Sequence, residues 1–219
     1  MNEDARVINL GFVNAYLIKA GDDFVLVDTG TAQQWPRLEN ELLQAGCLPD
    51  HLKLAFITHG DFDHTGNCAV LQQKYHTKIG MHAGDVEMVM SGLPAKRKAK
   101  GLLGRLFTVM AKFIRGNFSK FQPDVLLEDG QDLAEYGLAG RVIYTPGHTK
   151  GSIALLTSDG QLFSGDTVSN QGKLSTGPFV ENEEDLRASL LILKGLKARR
   201  VYPGHGKPFD FEELAAAAG

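Results

Sequence analysis

The chain has 219 residues, of which 23 are basic and 26 acidic, giving a formal net charge of −3. This charge argues against a generic nucleic-acid binder, and two cysteines cannot build a disulfide framework. A polar N-terminus and the lack of any long apolar run predict a cytoplasmic protein with no transmembrane segment. The length suits one domain, which we assign to residues 1–219, and the sequence leaves open whether it is a monomer or a homodimer.

The first half of the chain alternates short apolar runs with amphipathic stretches. Strands are predicted at residues 6–10, 15–19, 24–28, 52–58 and 78–82. Helices are predicted at residues 34–45, 65–75 and 84–90. At the start of the third helix, we expect His82 and Asp85 to be a helix cap and a surface residue.

The second half repeats this order of elements. Strands are predicted at residues 125–128, 141–145, 152–156, 161–164 and 200–202, and a helix at 183–196. Strands mixed with helices in both halves predict an α/β sandwich of two sheets with helices on the outside.

A basic segment lies between the two halves. No acidic residue occurs from Met88 to Pro123, and eight basic residues occur between Ser91 and Gln122. The net charge of −3 therefore combines +8 in this segment with −11 in the rest of the chain. Apolar residues recur here at the spacing of one helix face, and we define residues 91–122 as the basic insert, an amphipathic segment.

Most polar clusters of the sequence lie where a predicted strand ends, beside glycine or proline. Their carboxylates and imidazoles are Asp28, His59, Asp61, Asp63, His64, His148, Asp166 and His205. Loops at strand ends are where rigid scaffolds present functional groups. A mixed nitrogen and oxygen set without cysteine suits Zn²⁺, Fe or Mn²⁺ and does not suit a structural cysteine-type zinc site.

Five motifs in order make the chain similar to the metallo-β-lactamase superfamily over essentially its whole length. They are Leu-Val-Asp-Thr-Gly at 26–30, Thr-His-Gly-Asp-Phe-Asp-His at 58–64, Thr-Pro-Gly-His at 145–148, Phe-Ser-Gly-Asp-Thr at 163–167 and Tyr-Pro-Gly-His-Gly at 202–206. The resemblance implies an α/β fold, the four-layer αβ/βα sandwich, with a dinuclear metal site at one edge.

The same resemblance implies two divalent metal ions, each held by three side chains. The first set is His59, Asp61 and His148, and the second set is Asp63, His64 and His205. Asp166 would bridge the two ions. Asp63 and Asp28 are the candidate catalytic residues, Asp63 as a ligand and Asp28 as the partner that orients ligands.

Asp61 is a departure from the family, which has a second histidine at this position. An anionic oxygen adds negative charge and favours harder ions, so Mn²⁺ and Fe become candidates beside Zn²⁺. The alternative to a dinuclear centre is that Asp61 leaves its site weak and one metal ion dominates.

The general reaction of the family is hydrolysis by a metal-bound, bridging hydroxide. From the sequence we expect neither the export signal of a secreted β-lactamase, nor the extra helical domain of the glyoxalase II type, nor an added nuclease module. We therefore expect a hydrolase acting on an ester, thioester or lactone-type small molecule. One alternative, prompted by Asp61, is a non-haem iron oxidoreductase or dioxygenase of the same fold, and another is a phosphodiesterase.

Three roles for the basic insert stay open, namely a lid or groove wall, a helix packed on the core, and a weak membrane-surface contact. As a lid, the insert would offer Phe107 and Phe113 to the substrate, and its basic side chains would attract an anionic or amphiphilic molecule. Phe62, between two ligand positions, is a further candidate for the substrate pocket.

Overall fold

The computed structural model describes residues 4–93, 98–99, 120–177 and 179–217, with side chains described for all of these except 98 and 99. None of the helices in these ranges is long and apolar enough to cross a lipid bilayer. Most of the basic insert, including Phe107 and Phe113, lies outside the described residues. Its helix and its three candidate roles therefore stay predictions.

Strands and helices alternate along the described chain. In chain order the strands are β1 (Arg6–Asn9), β2 (Asn14–Ala20), β3 (Asp23–Val27), β4 (Leu52–Phe56), β5 (Lys78–Met81), β6 (Lys98–Ala99), β7 (Val125–Leu126), β8 (Gly140–Tyr144), β9 (Ile153–Thr157), β10 (Gln161–Gly165), β11 (Ser169–Asn170), β12 (Leu174–Ser175), β13 (Phe179–Val180), β14 (Arg200–Pro203) and β15 (Phe209–Asp210). The helices are α1 (Trp35–Gln44), α2 (Phe62–Thr65), α3 (Cys68–Tyr75), α4 (Val86–Ser91), α5 (Glu183–Lys194) and α6 (Phe211–Ala216).

Two mixed sheets contain most of the strands. The first has the order β1-β2-β3-β4-β5-β7, with β1 to β3 antiparallel and β3, β4, β5 and β7 parallel. The second has the order β15-β14-β10-β9-β8, and β10 and β14 are its parallel pair. Helix α5, capped by the side chain of Asn182 and acidic in its first turn, makes the crossover between β10 and β14.

Both faces of each sheet are apolar and are covered. Between the sheets, Phe56 of β4 belongs to the same buried cluster as Phe163 of β10. The outer face of the first sheet packs against α1 and α3, through side chains such as Leu42 and Leu71. The outer face of the second sheet packs against α5 and α6, through side chains such as Leu193. This order of helix, sheet, sheet and helix is the predicted four-layer αβ/βα sandwich.

Each predicted strand overlaps an observed strand. The helix predicted at residues 65–75 is observed from Cys68 to Tyr75, so only the start of that prediction is wrong. Helix α2 ends at Thr65, and α3 begins at Cys68. Gly66 keeps helical dihedral angles, and the helix is interrupted at Asn67, which has a φ of −108° and a ψ of 7°. Gly66 packs closely against the first half of the chain, since a Cβ atom there would lie 2.3 Å from the backbone nitrogen of Ala32. The sequence pattern also did not predict the short strands β6, β11, β12, β13 and β15 or the helix α6.

The carboxyl ends of β4, β10 and β14 meet at one edge, where main-chain hydrogen bonds join the sheets. The backbone nitrogen of Ile153 donates to the carbonyl of Thr58 at 2.8 Å, and that of Asn14 donates to the carbonyl of Gly204 at 2.9 Å. Within the second sheet, the nitrogen of Gly204 donates to the carbonyl of Gly165 at 2.9 Å. These contacts place the polar loops of both sheets side by side, at the strand ends where α/β folds bind ligands.

Candidate metal centre

The structure brings together all seven side chains that the resemblance implies as metal ligands. Their nitrogen and oxygen atoms form three overlapping groups, and within each group the atoms lie within 4.8 Å of one another. The groups are His59, Asp61 and His148; Asp63, His64 and His205; and His59, His64 and Asp166. Because bonds from zinc to nitrogen and oxygen are about 2.0–2.2 Å long, ligand atoms this close to one another can share an ion.

The first ligand group, defined as His59, Asp61 and His148, joins the loop after β4 to the loop after β8. The Nε2 atom of His59 lies 3.2 Å from Oδ2 of Asp61. The Nε2 atom of His148 lies 3.1 Å from the same oxygen. Asp61 therefore faces both histidines and places an oxygen where the family has a histidine nitrogen.

The second ligand group, defined as Asp63, His64 and His205, joins α2 to the loop after β14. The Nε2 atom of His205 lies 3.5 Å from Oδ2 of Asp63, and the Nε2 atom of His64 lies 3.8 Å from it. The six residues from His59 to His64 thus supply two members to each group.

Asp166, which follows β10, lies between the two groups. Its Oδ1 lies 3.4 Å from Nε2 of His64, and its Oδ2 lies 3.2 Å from Nε2 of His205. The same Oδ2 lies 3.6 Å from Nε2 of His148, in the first group. One carboxylate is therefore near members of both groups, as a bridging ligand must be.

Asp28 supports a histidine in each group. Its Oδ2 accepts a hydrogen bond from Nδ1 of His64 at 2.8 Å and another from the hydroxyl of Thr58 at 2.8 Å. Since a carboxylate only accepts, the Thr58 hydroxyl donates to it and accepts from Nδ1 of His59 at 3.0 Å. Both rings consequently turn their Nε2 atoms toward the centre. Hydrogen-bond partners of metal-binding histidines commonly fix the orientation of the ring in this way.

His205 is held by the main chain of the loop between β1 and β2. Its Nδ1 atom donates to the carbonyl oxygen of Phe12 at 2.6 Å. The Phe12 ring is stacked on the His205 ring, with 6.0 Å between ring centroids, and the residue is 55% exposed. Phe12 therefore offers an apolar surface at the rim of the centre.

The buried groups of the centre shift one another's pKa values. Burial lowers the pKa of His64, but Asp28, Asp166 and Asp63 outweigh it and raise this pKa to about 10. Burial also lowers the pKa of His205, and Asp166 raises it to about 9. Burial raises the pKa of the Asp166 carboxyl, but His64 and His205 hold it well below its usual range. The centre thus stabilises positive charge, either as protons on histidines or as a cation.

Atoms without a hydrogen-bond partner test whether the centre fits a metal ion. Within the described chain, Nε2 of His59, Nε2 of His64 and Oδ1 of Asp166 are buried and accept or donate no hydrogen bond. Buried polar atoms without a partner are rare because leaving them unsatisfied is costly. These three side chains also have metal-ligand spacing, so ions bound at the two ligand groups would give each of these atoms a partner.

Two residues near the centre escaped prediction from the sequence. Asp85, expected at the surface, is 1% exposed, so that expectation is wrong. His82 does cap its turn, because its Nδ1 accepts a hydrogen bond from the backbone nitrogen of Gly84 at 3.1 Å.

Phe12 was not predicted as a site residue. The only signal for it in the sequence is an aromatic residue that follows Gly11 between two predicted strands. Phe62 is half-buried on α2.

The chain is similar in sequence to proteins named as hydrolases. The chain is 31% identical over 156 residues to the probable polyketide biosynthesis zinc-dependent hydrolase BaeB of Bacillus velezensis, covering 70% of this chain and 56% of BaeB. The chain thus spans little more than half the length of that relative. It is 26% identical to the acyl-coenzyme A thioesterase MBLAC2 of Homo sapiens, covering 92% of this chain and 75% of MBLAC2.

A solved structure shows the same architecture. The metallo-beta-lactamase family protein from Thermus thermophilus matches with a TM-score of 0.74 at 24% identity, covering 96% of this chain and 76% of that protein. This match confirms the predicted fold. The family model of the metallo-beta-lactamase superfamily covers residues 8–205. The chain therefore belongs to the metallo-beta-lactamase superfamily.

Proposed function

We propose that this chain is a metal-dependent hydrolase that cleaves an acyl thioester, or a related ester or lactone, at a centre of two divalent ions. The observation that carries the proposal is the position of Asp166, whose oxygens lie within 3.6 Å of histidine nitrogens from both ligand groups. Relatives named a zinc-dependent hydrolase and an acyl-coenzyme A thioesterase support the reaction type and the substrate class.

The ligand roles follow the two groups. The first ligand group would hold one ion, the second ligand group would hold the other, and Asp166 would contact both. When bound, such a pair of ions supplies Lewis acidity toward the substrate carbonyl and lowers the pKa of a shared water so that it ionises near neutral pH.

The protein's own contribution is to orient these groups. Asp28 fixes His64 directly and His59 through Thr58, so both rings present Nε2 to the centre. Asp63 presents Oδ2 to the histidines of its group, and we propose that its other oxygen accepts a hydrogen bond from the attacking water. This would hold the water in position for attack on the carbonyl carbon.

Two aromatic side chains support an acyl substrate. Phe12 is largely exposed and lies against His205, and Phe62 is half-buried between Asp61 and Asp63. Apolar surface beside a polar centre suits a molecule with a hydrocarbon part and a reactive carbonyl. A thioester or ester of a fatty or polyketide-like acid has this composition.

Asp61 favours a second candidate, a non-haem iron oxidoreductase of the same fold. With Asp61, the first ligand group consists of two histidines and one carboxylate, and the second group has the same composition. Two histidines with one carboxylate are typical ligands of non-haem Fe(II) in oxygen-using enzymes. The two candidates differ in whether turnover needs O₂.

One experiment separates the candidates. The protein is purified without chelators, and its metal content is measured. A panel of thioesters, esters, lactones and phosphodiesters is then assayed with Zn²⁺, Mn²⁺ or Fe²⁺, both anaerobically and in the presence of O₂. We expect thioester or ester hydrolysis without O₂. Turnover that requires both Fe²⁺ and O₂ would favour the second candidate, and hydrolysis of phosphodiesters alone would exclude the proposed substrate class.

Two variants serve as controls. His148→Ala removes a member of the first ligand group and should abolish most activity under either candidate. His51→Ala removes an exposed histidine that pairs with Asp23 away from the centre and should leave activity unchanged. Fewer than about one metal ion per chain, with no gain on adding Zn²⁺, Mn²⁺ or Fe²⁺, would contradict both candidates.

A further inference from the structure

We infer that Asp85 is a positioning residue for the first ligand group. The inference rests on the proposed metal function. Asp85 ends the short turn Ala83–Asp85 that precedes α4, and it is 1% exposed. Among the described residues it belongs to no group with metal-ligand spacing and forms no ion pair with a basic side chain. Its effect must therefore come through its hydrogen bonds.

The Oδ2 atom of Asp85 holds the loop after β4. It accepts a hydrogen bond from the backbone nitrogen of Gly60 at 2.8 Å. Gly60 lies between His59 and Asp61, which are two of the three members of the first ligand group. The bond therefore fixes the peptide between two ligands.

The same carboxylate holds the loop after β8. Oδ2 accepts from the hydroxyl of Thr149 at 2.7 Å, and Oδ1 accepts from the backbone nitrogen of Gly151 at 2.9 Å. Thr149 directly follows His148, the third member of the group. Charge-assisted bonds of this kind are stronger than neutral ones, and here they connect one buried carboxylate to both loops that carry the group.

Glycines let the three backbones approach one another around Asp85. A Cβ atom at Gly151 would lie 2.5 Å from Cγ of Asp85, and a Cβ atom at Gly60 would lie 3.0 Å from Cβ of Asp85. A Cβ atom at Gly84 would lie 2.6 Å from the carbonyl oxygen of Lys150. None of these glycines has a positive φ, so they are needed for space and not for backbone conformation. Gly60 and Gly151 therefore leave room for Asp85, and Gly84 leaves room for the loop that contains Lys150.

The second ligand group has supports of its own. His64 bonds to Asp28, and His205 bonds to the carbonyl of Phe12. The side-chain hydrogen bonds that Asp85 makes to Gly60, Thr149 and Gly151 go to the loops of the first group. Loss of the Asp85 carboxylate should therefore weaken one metal position and spare the other.

Asp85→Asn is the decisive variant because asparagine keeps the shape of the side chain. Each carboxylate oxygen faces a backbone N–H group, so the amide nitrogen of asparagine meets a donor in either orientation. In a chelator-buffered Zn²⁺ titration of metal-free protein, we expect one of two binding steps to weaken by about 10- to 100-fold. The other step should stay within about twofold of the wild-type protein.

Asp124→Asn is the matched control. Asp124 also accepts a backbone N–H bond, from Ile79 at 2.8 Å, but it lies outside the ligand loops. Both Zn²⁺ binding steps should be unchanged in this variant. If Asp85→Asn lowers only the unfolding temperature of the metal-free protein and leaves both steps unchanged, the residue has a structural role alone and the inference is wrong.

A second pair of variants decides the matter if Asp85→Asn does not fold. Thr149→Val removes one bond to Asp85 without changing side-chain size, and Thr149→Ser keeps the hydroxyl. We expect the valine variant to weaken the same binding step and the serine variant to restore it. Equal Zn²⁺ affinity in both would overturn the inference. Failure of the wild-type protein to bind Zn²⁺, Mn²⁺ or Fe²⁺ would instead overturn the proposed function.

Discussion

Asp28 accepts a hydrogen bond from Nδ1 of His64 at 2.8 Å, with both residues buried. Asp28 has a φ of 58°, in the left-handed region that aspartate and asparagine tolerate better than most residues. Its carboxylate also accepts from the Thr58 hydroxyl that bonds to His59. One buried carboxylate therefore orients a histidine of each ligand group, His64 directly and His59 through Thr58.

Asp28→Asn should weaken both Zn²⁺ binding steps. Asparagine tolerates the same backbone conformation, so the variant removes the charge without adding strain. We expect a loss of about 10- to 100-fold in affinity for each ion, measured in the same chelator-buffered titration. Wild-type affinity at either step would show that Asp28 does not orient the corresponding histidine.

Asp61→His should change the preference for metals. A histidine at 61 replaces an anionic oxygen with a neutral nitrogen at a position 3.2 Å from His59 Nε2, so harder ions lose a favourable ligand. The ratio of Zn²⁺ to Mn²⁺ affinity should rise by roughly tenfold or more. Asp61→Asn is the control, because it removes the charge without supplying an imidazole. It should lower the affinity for both Zn²⁺ and Mn²⁺. An unchanged ratio in the histidine variant would show that Asp61 is not a ligand.

The stability of the metal-free protein should decrease as the pH rises above neutrality. The pKa values of folded His64 and His205 are about 10 and about 9, above the ordinary 6.5 of histidine. The folded state therefore binds these protons more tightly, and their contribution to stability is complete below pH 6.5 and is lost as pH rises through these values.

Thermal unfolding in a chelator, followed from pH 6.5 upward, measures this loss. The depressed pKa of Asp166 works in the opposite sense, since its contribution is present above pH 3.8 and is lost as the pH falls below that value. Because Zn²⁺ must displace the histidine protons, its apparent affinity should increase over the alkaline range. A rising unfolding temperature of the chelated protein over that range would contradict the assigned charges.

Phe12→Ala should raise KM for acyl substrates. The ring is 55% exposed, so covering it with an acyl chain would be worth about 1 kcal/mol, or roughly fivefold in KM. Zn²⁺ affinity should not change, because His205 bonds to the main-chain carbonyl of residue 12. Phe12→Leu is the control and should recover most of the loss. A KM for long-chain acyl substrates that is unchanged from the wild-type protein in the alanine variant would place the acyl chain elsewhere.

The sequence predicted best those site residues whose side chains can bind a metal ion and which also follow a recognisable apolar strand. The polar residues after apolar strands could be located because glycine or proline adjoins each cluster, and the order of elements predicted the layers. Asp85 could not be predicted, because its partners Gly60 and Thr149 lie 25 and 64 residues away and its local sequence is that of a helix start. The break between α2 and α3 was likewise not predicted from the local pattern, and Gly66 beside it packs against the distant backbone of Ala32.

The candidate metal centre lies where the edges of the two sheets meet. Four candidate ligands follow β4 of the first sheet, and the other three, His148, Asp166 and His205, belong to loops of the second. Each ligand group therefore takes two members from one sheet and one from the other. A bound ion would act as a reversible crosslink between the two halves of the sandwich. Removal of metal should then loosen the halves against each other before either half loses its own strands.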